Sequence, residues 1–327
     1  MNFTSILRVA SATAFAIGAW AGCAGNANAQ GAGKTITIIV PYTPGSGPDI
    51  MARLLGEELQ HRWGQPVVVD NKPGASGSLG ASQTSRAEPD GQTIMMTTNP
   101  FTNNVALFKT LPYDPVKGFE PIVFAGSGAL VLTLHPSVPA KTTKEFIAYA
   151  KANPGKINYG SPGHGTPHHL AMELFKQTTK TDMKHIPYRG SAGATQDLVG
   201  GHVDVGFQAI HVILPVARNN QVKLIATASK DRQPIAPELP SLAEEGLPGF
   251  HVDLWYAVLA PKGTPKDVVA KYNTVINEIL AQPSVQERLA KQGIVVGGGT
   301  PERLRDFLTE ETAKWQKVVE EAGITRD

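Results

Sequence analysis

Two short loops of small residues each join a strand-like run to the start of a helix-like run. The first is Thr43-Pro44-Gly45-Ser46-Gly47, and the second is Ser161-Pro162-Gly163-His164-Gly165-Thr166. Glycine lets the backbone approach a ligand closely, and the first turn of a helix offers free N–H groups with a partial positive charge. Because neither loop contains lysine or arginine, we expect main-chain N–H groups to hold a carboxylate or phosphate there. Tight turns whose N–H groups bind water are the alternative.

Histidines are concentrated in the second loop and in the helix predicted to follow it. His164 and His168 have the i, i+4 spacing of two metal ligands on a helix, with His169 beside them. Residues 165–167 interrupt a regular helix, and a metal site would need a third ligand. We therefore predict no metal site. His168 is expected to hydrogen-bond a ligand carboxylate, with a purely structural histidine as the alternative.

Several side chains that follow predicted strands are candidates for the same site. Arg189 lies in a glycine-flanked loop, where it could form a charge-assisted contact with a carboxylate or lie exposed on the surface. Phe207, Gln208 and His211 follow another strand and could enter a cleft. Tyr256 could cover a ligand or pack at a crossing between two parts of the chain.

Common nucleotide and hydrolase motifs are missing from the sequence. Gly45-Ser46-Gly47 has Ile50 where a dinucleotide-binding loop would place its third glycine. Gly33-Lys34-Thr35 has Asn28 where a P-loop would begin with glycine. No G-x-S-x-G sequence marks a serine hydrolase of the elbow type.

The first 29 residues have the pattern of a secretory signal. Arg8 precedes an apolar run from Val9 to Trp20, and Ala27-Asn28-Ala29 has the A-x-A form of a cleavage site. Cys23, the only cysteine, lies inside this segment, so the mature chain is expected to have no thiol and no disulfide. Lipidation of Cys23 is the alternative. We therefore predict a periplasmic protein.

Charge and length limit the binding partners and the domain organisation expected of the mature chain. Cleavage after Ala29 would leave 298 residues with 29 basic and 28 acidic side chains. This balance gives no electrostatic footprint for nucleic acid or an anionic membrane. The length exceeds that of one ordinary domain, so two lobes are expected.

Strand-like and helix-like segments alternate along the chain, which predicts an α/β protein. The order near the start, β-α-β-α-β, implies a parallel sheet with helices on its faces. The predicted strands are Thr35–Val40, Val67–Asp70, Thr93–Thr98, Val123–Phe124, Leu130–Leu134, Asn158–Gly160, His185–Pro187, Val203–Phe207, Leu224–Ala228, Asp253–Ala260 and Ile294–Val296. The predicted helices include Pro48–Trp63, Ser78–Arg86, Thr143–Asn153, Pro167–Lys176 and Ala192–Val199, with mostly helical chain after Pro265.

Two crossings of the chain are expected between the lobes, near residues 125–130 and 251–256. Residues 30–127 and 254–327 would then form lobe 1, and residues 128–253 would form lobe 2. A ligand cleft is expected between lobes joined in this way.

Several segments spread over the mature chain together resemble the Bug, or TctC-like, family of extracytoplasmic solute receptors of tripartite tricarboxylate transporters. The matching segments are PYTPGSGPDI (residues 41–50), GQPVVVDNKPGA (64–75), LPYDPV (111–116), ANPGKINY (152–159), IPYRGS (186–191), LPGF (247–250) and AGI (322–324). Family loops often read P-G-G-x-x-D, whereas this chain has Ser46 and Pro48 in that stretch.

This resemblance implies a two-lobed periplasmic-binding-protein fold of the Venus-flytrap type, closing on a small carboxylate. In the family, backbone N–H groups and ordered water from two loops hold one carboxylate, and these loops correspond to residues 42–49 and 161–168. The predicted ligand-binding residues are Tyr42, Pro44, Gly45, Ser46, Gly47, Asp49, Ser161, Gly163, His164, Gly165, Thr166, His168, Arg189, Phe207 and Gln208.

The sequence thus predicts a non-catalytic, monomeric receptor that delivers a dicarboxylate, with aromatic acids included, to membrane transporter subunits. No cofactor, catalytic residue or nucleic-acid partner is predicted. A secreted hydrolase using Ser46 or Ser161 with His164, and a sensor that signals to a membrane kinase, are the alternative functions.

Overall fold

The computed structural model describes residues 34–321 of the chain. The predicted signal segment with its cleavage site, Cys23 and the closing segment of residues 322–324 lie outside the described residues. Ten strands form one sheet within the described part: β1 (Ile36–Val40), β2 (Val67–Asn71), β3 (Thr93–Thr98), β4 (Phe119–Leu134), β5 (Asn158–Ser161), β6 (Lys184–Pro187), β7 (Val205–Ala209), β8 (Lys223–Thr227), β9 (Asp253–Pro261) and β10 (Ile294–Val296).

Ten α-helices accompany these strands in the described part of the chain. They are α1 (Gly47–Trp63), α2 (Ser78–Ser85), α3 (Pro100–Leu107), α4 (Thr143–Ala152), α5 (Pro167–Thr179), α6 (Ser191–Val199), α7 (Ile210–Arg218), α8 (Lys266–Leu280), α9 (Pro283–Ala290) and α10 (Pro301–Glu321). None of the helices within residues 34–321 is both long enough and apolar enough to span a bilayer.

The strand order is β2-β1-β3-β9-β4-β7-β5-β6, with β10 and β8 paired to β4. Strands β1, β2 and β3 run parallel, which confirms the prediction for the start of the chain. The sheet as a whole is mixed, because β9 runs antiparallel to both β3 and β4. The physical reason is that β4 carries the chain out of the first half of the sheet and β9 carries it back.

Strand β4 corrects the prediction of two separate short strands. It runs without interruption for 16 residues, with Phe119–Ala129 beside β9 and Leu130–Leu134 beside β7. Gly126 and Gly128 lie between the two predicted strands, and glycine weakens a strand interior. A β-carbon on Gly126 would lie 2.6 Å from the Val295 carbonyl oxygen, and one on Gly128 would lie 3.0 Å from the Tyr256 hydroxyl. These glycines therefore allow close packing of neighbours rather than ending the strand.

Six helices begin within a few residues of the end of a strand. In the first half, β1, β2 and β3 lead to α1, α2 and α3, and in the second half β5, β6 and β7 lead to α5, α6 and α7. Within each half the three strands run parallel, so their carboxyl ends lie at one edge. The N-termini of the helices are brought to that same edge, where open α/β sheets bind ligands.

Phe207 on β7 lies in the hydrophobic core of the second half. Its side chain is fully buried, with its ring centroid 6.1 Å from that of Phe250 and 6.4 Å from that of Phe175. Alternation along a strand directs neighbouring residues to opposite faces of the sheet, so Phe207 and Gln208 have different surroundings.

Phe207→Ala is expected to lower the free energy of unfolding by about 3–5 kcal/mol, because it removes a buried ring and leaves a cavity. Phe207→Leu is the matched control, with a loss below about 1.5 kcal/mol and unchanged ligand affinity. Urea denaturation and ligand titration of both variants provide the measurement. Near-normal stability of Phe207→Leu together with lost ligand binding would show instead that Phe207 contacts the ligand.

Candidate functional site

A cavity of about 670 Å³ lies at the carboxyl edges of the two sets of parallel strands. Each of the six helices that follow these strands contributes its N-cap or a first-turn residue to the wall. These residues are Ser46 and Gly47 for α1, Gly77 for α2, Pro100 for α3, Thr166 and His168 for α5, Gly190 and Ser191 for α6, and Ala209 and His211 for α7. Six positive helix ends thus meet around one space.

Most of these helix starts have no side-chain cap. Only α5 has one, since the Thr166 hydroxyl accepts a hydrogen bond from the His169 N–H at 3.4 Å. The other five have no hydrogen bond from a first-turn N–H group to the side chain of the N-cap residue. First-turn N–H groups have no partner inside the helix. The Thr102 N–H of α3 donates to the Asn99 carbonyl at 3.1 Å, and the first-turn N–H groups without such a main-chain acceptor are available to a ligand or to water.

The charge of the cavity wall is small and positive. Among the described residues that line it, Arg189 is the only side chain with a fixed charge, and none is acidic. Arg189 is exposed, so it lies where the cavity opens to solvent. Such a wall favours a negatively charged ligand without demanding a buried ion pair.

Four side chains in the wall have buried polar atoms without a hydrogen-bond partner. They are the Ser46 hydroxyl, both ring nitrogens of His168, Nε2 of His211 and the Tyr256 hydroxyl. A buried polar group without a partner costs free energy, so such atoms mark a place where a polar ligand or ordered water belongs.

Burial keeps these titratable groups uncharged. It lowers the pKa of His168 to about 3, with a further contribution from neighbouring His211. It lowers the pKa of His211 to about 4 and raises the pKa of Tyr256 well above its ordinary value. At neutral pH the cavity therefore offers neutral donors and acceptors, and Arg189 supplies the charge.

Eight of the predicted site residues line this cavity: Tyr42, Ser46, Gly47, Gly163, His164, Thr166, His168 and Arg189. Tyr42 contributes its ring, because its hydroxyl bonds to the scaffold at Thr97 and Thr98. The structure places the other seven outside the lining: Pro44, Gly45, Asp49, Ser161, Gly165, Phe207 and Gln208.

Residues outside the lining hold the loops in place. The Asp49 carboxylate accepts hydrogen bonds from the Gly45 N–H at 2.9 Å, Arg53 Nε at 3.0 Å and Asn71 Nδ2 at 2.9 Å. Ser161 is fully buried, with its hydroxyl 2.6 Å from His185 Nε2. Asp49 and Ser161 therefore stabilise the two predicted loops from behind.

Of the other four residues, Phe207 lies in the hydrophobic core, and the remaining three bond within the protein or face solvent. The Gly165 carbonyl accepts a hydrogen bond from Asn103 Nδ2, and Gln208 Oε1 accepts one from the Thr195 hydroxyl at 2.9 Å. Pro44 is exposed at the outside of the first loop.

A third loop was not predicted to line the site. Pro73 to Gly77 forms part of the wall before α2, and Ala75 and Ser76 have positive φ angles of 45° and 50°. Its sequence, Pro-Gly-Ala-Ser-Gly between a strand and a helix, is of the same kind as the first two loops. The signal was therefore present in the sequence, but nothing local shows that this turn faces the others.

Two hydrogen bonds join the halves of the sheet beside the cavity. The Ser76 hydroxyl donates to the His164 carbonyl at 2.6 Å, and Asn103 Nδ2 donates to the Gly165 carbonyl at 3.1 Å. Both acceptors belong to the loop before α5, and both donors come from the first half of the chain. The second loop is thus held by the half of the protein opposite to its own.

A mixed α/β sheet in two halves, with helix N-termini meeting at a cavity, defines the class of two-lobed periplasmic binding proteins. Solved structures of this class match the chain closely. A family model described as "Tripartite tricarboxylate transporter family receptor" matches residues 51–324. The chain belongs to this family, and the predicted relation to Bug and TctC-like receptors is confirmed.

Three similar proteins illustrate the relation. Protein BugT of Bordetella pertussis is 35% identical over 292 residues, which cover 89% of this chain and 90% of BugT. The structure of R. palustris Rpa4515 with adipate has a TM-score of 0.87 and 32% identity, covering 90% of this chain and 98% of that one. MatC from Rhodopseudomonas palustris with bound malate has a TM-score of 0.82 and 33% identity, covering 87% and 98%.

Family and structural neighbours are solute receptors, so this chain is a receptor and not an enzyme. The site geometry agrees with this assignment. The Ser46 hydroxyl has no histidine partner, and Ser161, which does contact a histidine, is fully buried outside the cavity lining. Neither serine of the predicted hydrolase alternative is arranged for attack on a substrate.

Asp49→Asn is expected to lower the free energy of unfolding at pH 7 by about 1.5–3 kcal/mol, because it removes hydrogen bonds to a buried carboxylate. Burial opposes ionisation, but bonds from Arg53, Gly45 and Asn71 outweigh it and hold the pKa of Asp49 below its ordinary value of 3.8. The carboxylate therefore stabilises the fold above that value, and its contribution is lost as pH falls through the lower folded-state pKa.

Denaturant titrations of wild type and Asp49→Asn at several pH values provide the measurement. The stability difference should be constant between pH 7 and about 5 and should shrink below the ordinary carboxyl pKa. Glu57→Gln is the control, since Glu57 pairs with Arg288 in solvent and should contribute less than about 1 kcal/mol. A difference between wild type and Asp49→Asn that grows on acidification would contradict the assigned role.

Proposed function

We propose that this protein is a periplasmic receptor that captures a small dicarboxylate and delivers it to the membrane subunits of a tripartite tricarboxylate-type transporter. The observation that carries the proposal is the meeting of six helix starts, five without side-chain caps, at a cavity with no acidic residue among its described lining. Free N–H groups at helix starts bind anions. Adipate and malate, present in two solved relatives, are both dicarboxylates.

The two acid groups of the ligand would be held in different ways. One carboxylate would accept hydrogen bonds from main-chain N–H groups at the starts of α1 and α5, the Ser46 hydroxyl and ordered water. His168 would add a neutral donor, since both of its nitrogens are buried without a partner. The second carboxylate would pair with Arg189 at the opening.

The remaining wall supports an apolar spacer between the acid groups. Seven prolines line the cavity: Pro41, Pro48, Pro73, Pro100, Pro162, Pro167 and Pro187. Leu254 and the ring of Tyr256 add further apolar surface. Such a wall suits a hydrocarbon chain or an aromatic ring, because burying either removes apolar area from water.

Capture would proceed by closure of two lobes about β4 and the start of β9. The proposed lobe boundaries, 127/128 and 253/254, fall in these two antiparallel strands. The hydrogen bonds from Ser76 to the His164 carbonyl and from Asn103 to the Gly165 carbonyl support a closed arrangement, since they join opposite halves. The receptor would act as a monomer in the periplasm after removal of residues 1–29.

Adipate, malate and a benzenedicarboxylate are expected to bind more tightly than butanoate, benzoate or the uncharged diamide of adipate. The free N–H groups bind one anionic group, and Arg189 can pair with a second carboxylate. Isothermal titration of folded, ligand-free protein provides the measurement. No heat from any acid, or equal affinity for the diamide, would contradict dicarboxylate capture.

Arg189→Gln is expected to weaken dicarboxylate binding by about ten- to a hundredfold, because it removes one charge-assisted contact. Its effect on monocarboxylate binding should be much smaller. Arg218→Gln is the matched control, since Arg218 is exposed at the opposite end of α7 from the cavity. Equal losses for one- and two-carboxylate ligands would show that Arg189 does not contact the second acid group.

A further inference from the structure

Three histidines that are distant in sequence meet beside the cavity. His164, His169 and His185 come from the second loop, α5 and β6, and one ligand nitrogen from each lies within 4.8 Å of the others. The cluster does not include the His164–His168 pair at i, i+4 spacing, because His168 lies in the cavity wall near His211. The parallel pairing of β5 with β6 brings His185 next to the strand that leads to the loop.

We propose that His164, His169 and His185 bind a divalent transition-metal ion of the zinc type. The proposal does not depend on the identity of the ligand in the cavity. Three imidazoles with an open fourth position form a common arrangement for zinc in proteins. Imidazole selects zinc, copper or nickel over magnesium and calcium, which prefer oxygen ligands.

The ring geometry permits this coordination after a small movement. Zinc–nitrogen bonds of about 2.0–2.1 Å in a tetrahedron place the ligand nitrogens roughly 3.3 Å apart, so a separation of 4.8 Å must contract by about 1.5 Å. His164 is exposed and its ring is nearly perpendicular to that of His185, at 84° with a centroid distance of 4.8 Å. Rotation of this exposed side chain can move its nitrogen toward the other two, and a tilt of the His169 ring against the stacked His185 ring must complete the contraction.

Neighbouring side chains orient the two other rings. His169 and His185 stack at a centroid distance of 4.2 Å, and Tyr159 stacks on His185 at 4.7 Å. The Ser161 hydroxyl donates to the Gly163 carbonyl at 3.1 Å, so it can accept a hydrogen bond from His185 Nε2. With the bond in this direction, Nδ1 of His185 carries the free electron pair.

Competing interactions around the cluster are weak. The Gly165 N–H donates to His169 Nδ1 at 3.3 Å, a long hydrogen bond that coordination through this nitrogen would replace. Lys176 would repel a cation, but it pairs with Glu173 at 2.8 Å, which offsets its charge. Glu173 also accepts a hydrogen bond from the Tyr159 hydroxyl.

Zinc titration of tag-free protein that has been treated with chelator and dialysed tests the proposal. We expect one zinc ion per chain by elemental analysis and an affinity of about 1 μM or tighter by isothermal titration. Cobalt(II) should give the visible absorption of a tetrahedral nitrogen site. Magnesium should give no binding, and equal binding of magnesium and zinc would overturn the assignment.

Substitutions locate the ion. His164→Gln and His185→Gln should each weaken zinc binding by about tenfold or more. His61→Gln is the control, because His61 is an exposed histidine on α1 outside the cluster. The exposed position of His164 makes its variant safe for folding, which a melting curve verifies. Unchanged zinc affinity in His164→Gln, equal loss in His61→Gln, or no stoichiometric zinc in wild type would each overturn the proposal.

Discussion

The structure depends on helix starts that the protein leaves uncapped. A helix has N–H groups in its first turn that find no partner within the helix, and most proteins satisfy them with a side chain. Here five of the six helices around the cavity lack that bond. The free energy lost at these ends is recovered only when water or a ligand fills the space. A site of this kind suits a hydrogen-bond acceptor, because uncapped helix starts surround it.

Close packing around small residues keeps these ends in position. A β-carbon on Gly47 would lie 2.3 Å from the Tyr256 hydroxyl, and one on Gly190 would lie 2.7 Å from Thr43 Cγ2. The first contact fixes the start of α1 against β9, and the second brings the loops before α1 and α6 together. Behind the first loop, the buried Asp49 carboxylate bonds to Gly45, Arg53 and Asn71. Aligning the N–H donors thus requires glycine at positions 47 and 190 and the buried Asp49 carboxylate behind the first loop.

Features that depend on local sequence pattern could be predicted, whereas features set by contacts between residues distant in sequence could not. The alternation of strands and helices, the two loops that reach the cavity wall and the family relation could all be obtained from residue order. The continuity of β4 could not, because Gly126 is explained only by the approach of Val295. Helix α3 was not predicted, since its Asn103 and Asn104 are fully buried polar residues with partners far along the chain. The meeting of His164, His169 and His185 likewise depends on strand pairing.

The distribution of charge fits the proposed function of a receptor that binds its ligand selectively and reversibly. Buried His168 and His211 are neutral, because burial lowers the pKa of both far below physiological pH. Neutral donors act only at hydrogen-bond distance, so they discriminate by the position of ligand oxygens rather than by net charge. Arg189 is exposed, where solvent weakens its attraction but lets it act before the ligand is enclosed. Under the proposed function, an exposed cation would serve encounter and a neutral, geometrically fixed interior would serve recognition, and opening of the cleft would permit release by returning water to the donors.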